Sequence, residues 1–261
     1  MTPIGDLGYL PASVRGYLDA LTERVRSVVA GDLMGIYAIG SIAFGEYRHG
    51  PSDVDVAVVT SRRLDDARRG RLVELLSHDA LPCPARRLEL VVYPLEAVGQ
   101  DPPTLVWDLN LNTGRDGPTH AGTDPATEDA HWFVLDVAIA RSRAVPLLGP
   151  FSRDVFAPIS RTRVLAALVE SLVWHAGEEP RSPNSVLNAC RGWRFAEEGV
   201  WSSKADAARW ARPRVEQPAL LDRAMEALDN ARFDALNPAE TGPFLERVRA
   251  LIARAAANEP L

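Results

Sequence analysis

The sequence predicts an α+β fold, in which a mixed α/β N-terminal domain is followed by an all-α helical-bundle domain. Two observations carry this. Short apolar runs bounded by Gly, Pro or charge alternate with helical patterns up to Gly149-Pro150. Beyond that point the strand-like runs vanish and only helix-period patterns remain. The expected domains are 1–152 and 153–261.

Within the first domain, Val14, Leu18, Leu21, Val25 and Val28 recur at spacings of three and four, which predicts an amphipathic helix over 12–30. Gly31-Asp32 ends it. Strands are predicted at 35–39, 54–60 and 88–93, with a helix over 64–76 between the second and third. Residues 99–127 are rich in Asp, Pro, Gly, Thr and Asn and read as loop, with a short extended piece at 104–111. A helix over 127–143 and an extended segment at 145–148 complete the domain. In the second domain, helices are predicted at 161–176, 184–198, 203–211, 218–232 and 241–257. Asn184 and Ser203 stand at N-cap positions, and Asp206 lies three residues after Ser203 as in a capping box.

Composition narrows the function classes. With 46% hydrophobic and 25% charged residues the chain is neither disordered nor fibrous. The opening residues MTPIGDLGYL show no basic region followed by an apolar one, and no stretch approaches the length of a membrane span. Cys83 and Cys190 read as two buried free thiols rather than a disulfide. The expectation is a cytoplasmic protein with no membrane partner. The net charge of −6 sits in the N-terminal domain: residues 1–152 carry 14 arginines against 20 acidic residues, while 153–261 are balanced. Such a surface disfavours nucleic acid, whose phosphates need clustered cations, and suits metal ions or a cationic small molecule.

The chemistry lies in Gly40-Ser41, after the first strand, and in Ser52-Asp53-Val54-Asp55, entering the second. Glycine permits a tight turn, and N–H groups at a helix start hold phosphate, with the Ser41 hydroxyl as a further donor. Two Asp at i and i+2 on a strand face the same side and can share a cation, while Val54 and Val56 face the core. Magnesium takes such hard oxygen ligands together with substrate phosphates. Glu89 is a lone acid in the apolar third strand, placed to be a third ligand or a general base. Gly-Ser or Asp-x-Asp alone is a common turn or strand end. The set of three is not.

This combination resembles the nucleotidyltransferase superfamily related to DNA polymerase beta. Segments 36–41, 51–56, 140–150, 184–193 and 204–211 further resemble the streptomycin/spectinomycin adenylyltransferases, the aminoglycoside 3″(9) family. The resemblance implies a nucleotidyltransferase domain followed by the helical domain. It implies transfer of AMP from magnesium-ATP, with two metal ions, to a hydroxyl of streptomycin or spectinomycin, and release of pyrophosphate. It assigns Asp53 and Asp55 to the metal and Glu89 to the base. Ser41 and Ser52 line the triphosphate, and Arg191 and Lys204 reach the ATP phosphates across an interdomain cleft. The residues themselves support Lys204 separately, because it is the single lysine beside 28 arginines. Trp174 followed by Glu178 or Glu179 falls where the family contacts its antibiotic, with Trp107 and Asp108 as pocket residues from the first domain. The expected partner is a small aminoglycoside or aminocyclitol, and the expected state a monomer. Two other readings remain: a same-fold adenylyltransferase acting on a protein or metabolite, and a non-catalytic, antitoxin-like nucleotide binder.

Overall fold

The structure is a computed structural model that describes residues 7–259. Residues 1–6, the start of the stretch read as leaderless, lie outside the described residues. The chain forms two compact units, Met1–Ile159 and Ser160–Leu261. The division falls later than the expected 152/153 because of Phe156. That ring is 1% exposed and meets Tyr37 edge-on at 5.2 Å, and Ala157 N–H donates to Val98 O at 2.7 Å. Packing, not the Gly-Pro punctuation, sets the boundary.

The first unit runs α1 (Ala12–Val29), β1 (Leu33–Ala38), α2 (Gly40–Ala43), β2 (Val54–Thr60), α3 (Asp66–Leu76), β3 (Arg87–Pro94), α4 (Leu95–Val98), β4 (Leu109–Gly114), β5 (His120–Gly122), α5 (Ala130–Arg143), β6 (Val145–Leu148) and α6 (Ser152–Val155). The strands form one sheet in the order β5-β4-β3-β2-β1-β6. Only β2 and β3 pair in parallel; the other neighbours are antiparallel. Parallel neighbours need a crossover, and α3 supplies it.

Alternation along the strands gives the sheet two faces. Val54, Val56, Val58, Leu88, Leu90 and Val92 pack on one face with Val14, Leu18, Leu21 and Val25 of α1 and Leu72 and Leu76 of α3. Ala57, Val59, Val91 and Tyr93 pack on the other with Phe133 and Val137 of α5 and Val155 of α6. Asp55 and Glu89 belong to this second face, at the ends of β2 and β3 where the apolar packing has not yet begun. The strand phase therefore decides that Val54 and Val56 are core and Asp55 is not.

The predicted strands at 54–60 and 145–148 match the structure, and the others shift by one or two residues. Two readings need correction. The extended piece read at 104–111 begins as a strand only at Leu109, because Leu105 and Trp107 turn into the second core. Strand β5 was not expected at all, since three residues without apolar alternation carry no signal.

The second unit is helical: α7 (Arg161–Glu178), α8 (Pro183–Glu198), α9 (Lys204–Ala211), α10 (Pro218–Asp229) and α11 (Pro238–Ala257). Helix α11 packs on α7 and α8, and α8 also contacts α9 and α10. Gly192 on α8 faces both α7 and α11: a Cβ there would stand 3.0 Å from Leu168 and 3.2 Å from Ile252. The Ser203 cap is present, its Oγ accepting from Asp206 N–H at 3.0 Å. Asn184 is not a cap. Ser182 caps α8 by accepting from the Asn184 N–H at 3.2 Å, with Pro183 at the first helical position where a missing N–H is harmless. Among the described residues no helix is long and apolar enough to cross a membrane.

Both cysteines are free and buried. Burial raises the Cys83 thiol and pushes Cys190 up to about 12, so both stay protonated near neutrality. A thiolate-selective disulfide reagent at pH 8 should leave both untouched in the native protein and label both in denaturant. Fast native labelling of Cys190 would contradict the packing of α8.

Candidate functional site

The first part of the site grows from the turn after β1. Gly40 has φ +58°, a region where a Cβ is strained, and a Cβ there would overlap the Asp55 carboxylate. The Asp55 side chain thus lies against bare backbone. Ile39 N–H donates to Asp55 O at 2.9 Å, which pins the turn to β2. Helix α2 is a single turn of four residues, so its macrodipole is slight and any phosphate would meet individual N–H groups and hydroxyls. The Ser41 Oγ is buried and has no hydrogen-bond partner among the described residues. Such a group costs about 1–3 kcal/mol unless something satisfies it.

The parallel register sets Asp55 directly opposite Glu89, and β4 sets Asn112 opposite Glu89 on its other side. Asn112 is opposite His120 of β5. A polar row therefore crosses four strands on one face. Asn112 donates to Asn110 Oδ1 at 3.1 Å, and Asn110 donates to Glu128. Asn112 carries no sequence signal, because only the pairing of β3 with β4 brings it to Glu89.

Asp53 precedes β2 and is held differently. Arg86 Nε donates to its Oδ1 at 2.9 Å, Arg86 Nη2 donates to Oδ2, and Arg87 Nε stands 3.9 Å from Oδ1. Burial opposes the charge on Arg86, but the bond to Asp53 and the charges of Asp53, Glu89 and Asp55 outweigh it and raise its pKa. Ser52 Oγ accepts from Arg48 N–H at 2.9 Å, closing its own loop. The donor set of Asp53, Asp55 and Glu89 fits a hard cation in kind. Among the described residues, however, no three His, Cys, Asp or Glu side chains gather tightly enough to hold an ion. Arg86 takes the place beside Asp53.

In the second unit, Lys204 Nζ donates to Asn184 Oδ1 at 2.8 Å. Arg191 Nε donates to Ser202 O at 3.1 Å, and its Nη1 reaches Asn188 Oδ1 at 3.5 Å. The two expected cations thus stand at the N-terminus of α9 and on α8, and the Ser202 Oγ is buried with no hydrogen-bond partner among the described residues. Trp174 is half-buried and meets His175 edge-on at 5.2 Å. Glu178 is the exposed last residue of α7, while the Glu179 carboxylate stands 3.5 Å from His175 Nδ1.

Trp107 and Asp108 are corrections. Trp107 is fully buried and stacks on Phe133 at 3.5 Å, so it is a core residue. Asp108, also fully buried, accepts from Arg63 Nε and from Leu64 N–H, each at 2.7 Å, and anchors the approach to α3. Neither presents a surface to a ligand.

Residues 154–254 match the family model for the aminoglycoside adenylyltransferase C-terminal domain. Curated aminoglycoside (3″)(9) adenylyltransferases from Klebsiella pneumoniae and Shigella flexneri are 30% identical over 228 residues, covering 81% of this chain and 84% of each relative. The chain belongs to the aminoglycoside (3″)(9) adenylyltransferase family. It is a nucleotidyltransferase, as the Gly-Ser and Asp-x-Asp motifs imply. A spectinomycin adenyltransferase from Enterococcus faecialis, solved with ATP and spectinomycin, shares the fold. It is 14% identical, with a TM-score of 0.68 over 92% of this chain and 99% of that one. An α+β domain followed by a helical one is thus the fold of this enzyme.

Gly40→Ala tests the turn. The left-handed backbone alone costs an alanine about 1–2 kcal/mol, and the new methyl must displace Asp55. Turnover should fall far more than that modest loss of stability accounts for. Retained activity in a variant melting a few degrees lower would show that Asp55 need not stand against the turn.

Proposed function

We propose that this enzyme transfers AMP from magnesium-ATP to a hydroxyl of streptomycin or spectinomycin and releases pyrophosphate. The observation that carries the reading is the register pairing of Asp55 with Glu89 beside the turn bearing the orphaned Ser41 hydroxyl. The family relatives, named for the aminoglycoside 3″ and 9 positions, support the substrate class.

Glu89 accepts the proton of the attacking hydroxyl, and Asp53 and Asp55 hold the metal. When bound, magnesium neutralises phosphate charge and draws electron density from the reacting phosphorus. Ser41 and Ser52 donate to the triphosphate, and Ser41 so gains the partner it lacks. Arg191 and Lys204 supply cations for phosphate, Lys204 as a compact point charge and Arg191 as a fork. Trp174 offers an indole to the antibiotic, with Glu178 or Glu179 as an anion for its ammonium or guanidinium groups. Such transfers depend on positioning and charge neutralisation more than on covalent chemistry. In this reading the enzyme acts as a cytoplasmic monomer and has no nucleic-acid partner.

Turnover of streptomycin and spectinomycin by the purified protein with magnesium-ATP, read as pyrophosphate release, decides the matter. Glu89→Gln should leave ATP binding intact and lower that rate roughly 10²–10⁴-fold, the usual size of a general-base effect. Near-parental turnover would remove Glu89 from the base role. No pyrophosphate from the parent with either drug would reject the substrate class.

Lys204→Ala should raise the ATP dissociation constant by roughly tenfold, since a charge-assisted hydrogen bond is worth about 1.5–3 kcal/mol. The apo melt should barely move, because water can replace Asn184 Oδ1 as the acceptor of the Lys204 ammonium. An unchanged ATP titration would take Lys204 out of the phosphate-binding role.

A further inference from the structure

We propose that Arg86 is a built-in counter-cation of the acidic cluster, and that it competes with the metal ion for Asp53. The inference rests on the reading of Asp53 as a metal ligand. Both Asp53 oxygens accept from the planar guanidinium fork, a geometry that fixes a carboxylate in one orientation. The pair is largely withdrawn from water, with side-chain exposures of 24% for Arg86 and 16% for Asp53. It is also held from behind: the Arg86 N–H donates to Ser52 O at 3.2 Å, continuing the parallel ladder one step beyond β3.

Arg86 cannot yield by losing its proton, because guanidinium stays charged in proteins. It yields only by moving. Magnesium needs oxygen ligands at about 2.0–2.1 Å in an octahedron. A second cation that close to the Asp53 oxygens would face the Arg86 charge across a few ångströms of partly dehydrated space, where repulsion is several times stronger than in water. Metal binding at Asp53 therefore turns Arg86 away. Its charge is then free for phosphate oxygens, which guanidinium grips as it grips a carboxylate. Without metal, the same arginine keeps Asp53, Asp55 and Glu89 from repelling one another.

The test uses the full chain and Mn²⁺ alone, with free ion followed by electron paramagnetic resonance and stability by thermal melting. Arg86→Gln should bind Mn²⁺ roughly tenfold more tightly than the parent, through loss of the competing charge. Without metal it should melt several degrees lower, and added Mn²⁺ should stabilise it more than the parent. Arg86→Lys keeps the charge but loses the fork, so it should fold even if Arg86→Gln does not, with a smaller gain in affinity. Equal or weaker Mn²⁺ binding in the folded variants would overturn the proposal. Asp53→Asn separates the two ideas. If it weakens Mn²⁺ binding while the Arg86 variants show no gain, only the competition is wrong. If it leaves Mn²⁺ binding unchanged, Asp53 is no ligand, and both fall.

Discussion

The parallel pairing of β2 with β3 is the constraint on which the rest of the first unit depends. One register sets Asp55 against Glu89, Val56 against Leu90 and Val58 against Val92, so the acidic pair and the core layer are fixed together. A slip of one residue would exchange the faces of a whole strand, burying a carboxylate among leucines and exposing valines. The core stabilises the register, and the register assembles the site. The same ladder, carried one step past β3, brings the Arg86 backbone to Ser52 and its guanidinium to Asp53.

Similar residue types do different work in different surroundings. Asp108 and Asp53 both pair with arginine, but Asp108 is sealed from solvent and also accepts a backbone N–H, which makes it a structural anchor. Asp53 keeps partial access to water and lies beside two further carboxylates whose charges reach its partner. Trp107 is enclosed and stacked, while Trp174 leaves part of its indole at the surface. An aromatic or an acid in the sequence is one residue type; burial decides whether it is sealed in a core or left open to solvent.

Elements with strong periodicity were legible. The helix over 12–30, the strand at 54–60 and five C-terminal helices follow from spacings of three, four and two in the apolar residues, which tertiary packing then uses unchanged. What escaped was local or weak. Strand β5 is three residues held only by β4, and a choice between Ser182 and Asn184 as cap turns on which side chain meets a particular N–H. The boundary near 152 reads well from Gly-Pro, yet Phe156 finds its partner in Tyr37, more than a hundred residues back.

The sequence by itself determined the two-part architecture, the Gly-Ser turn, the two Asp at the entry to β2 and the acid of β3, because each is written in neighbouring residues. Tertiary structure alone decided that Trp107 and Asp108 belong to the core, that Asn112 lies beside Glu89, and that Arg86 faces Asp53. The reason is the nature of strand pairing. Residues 33 positions apart meet only when a register is chosen, and that choice is made by the summed burial of both sheet faces, which no single segment contains.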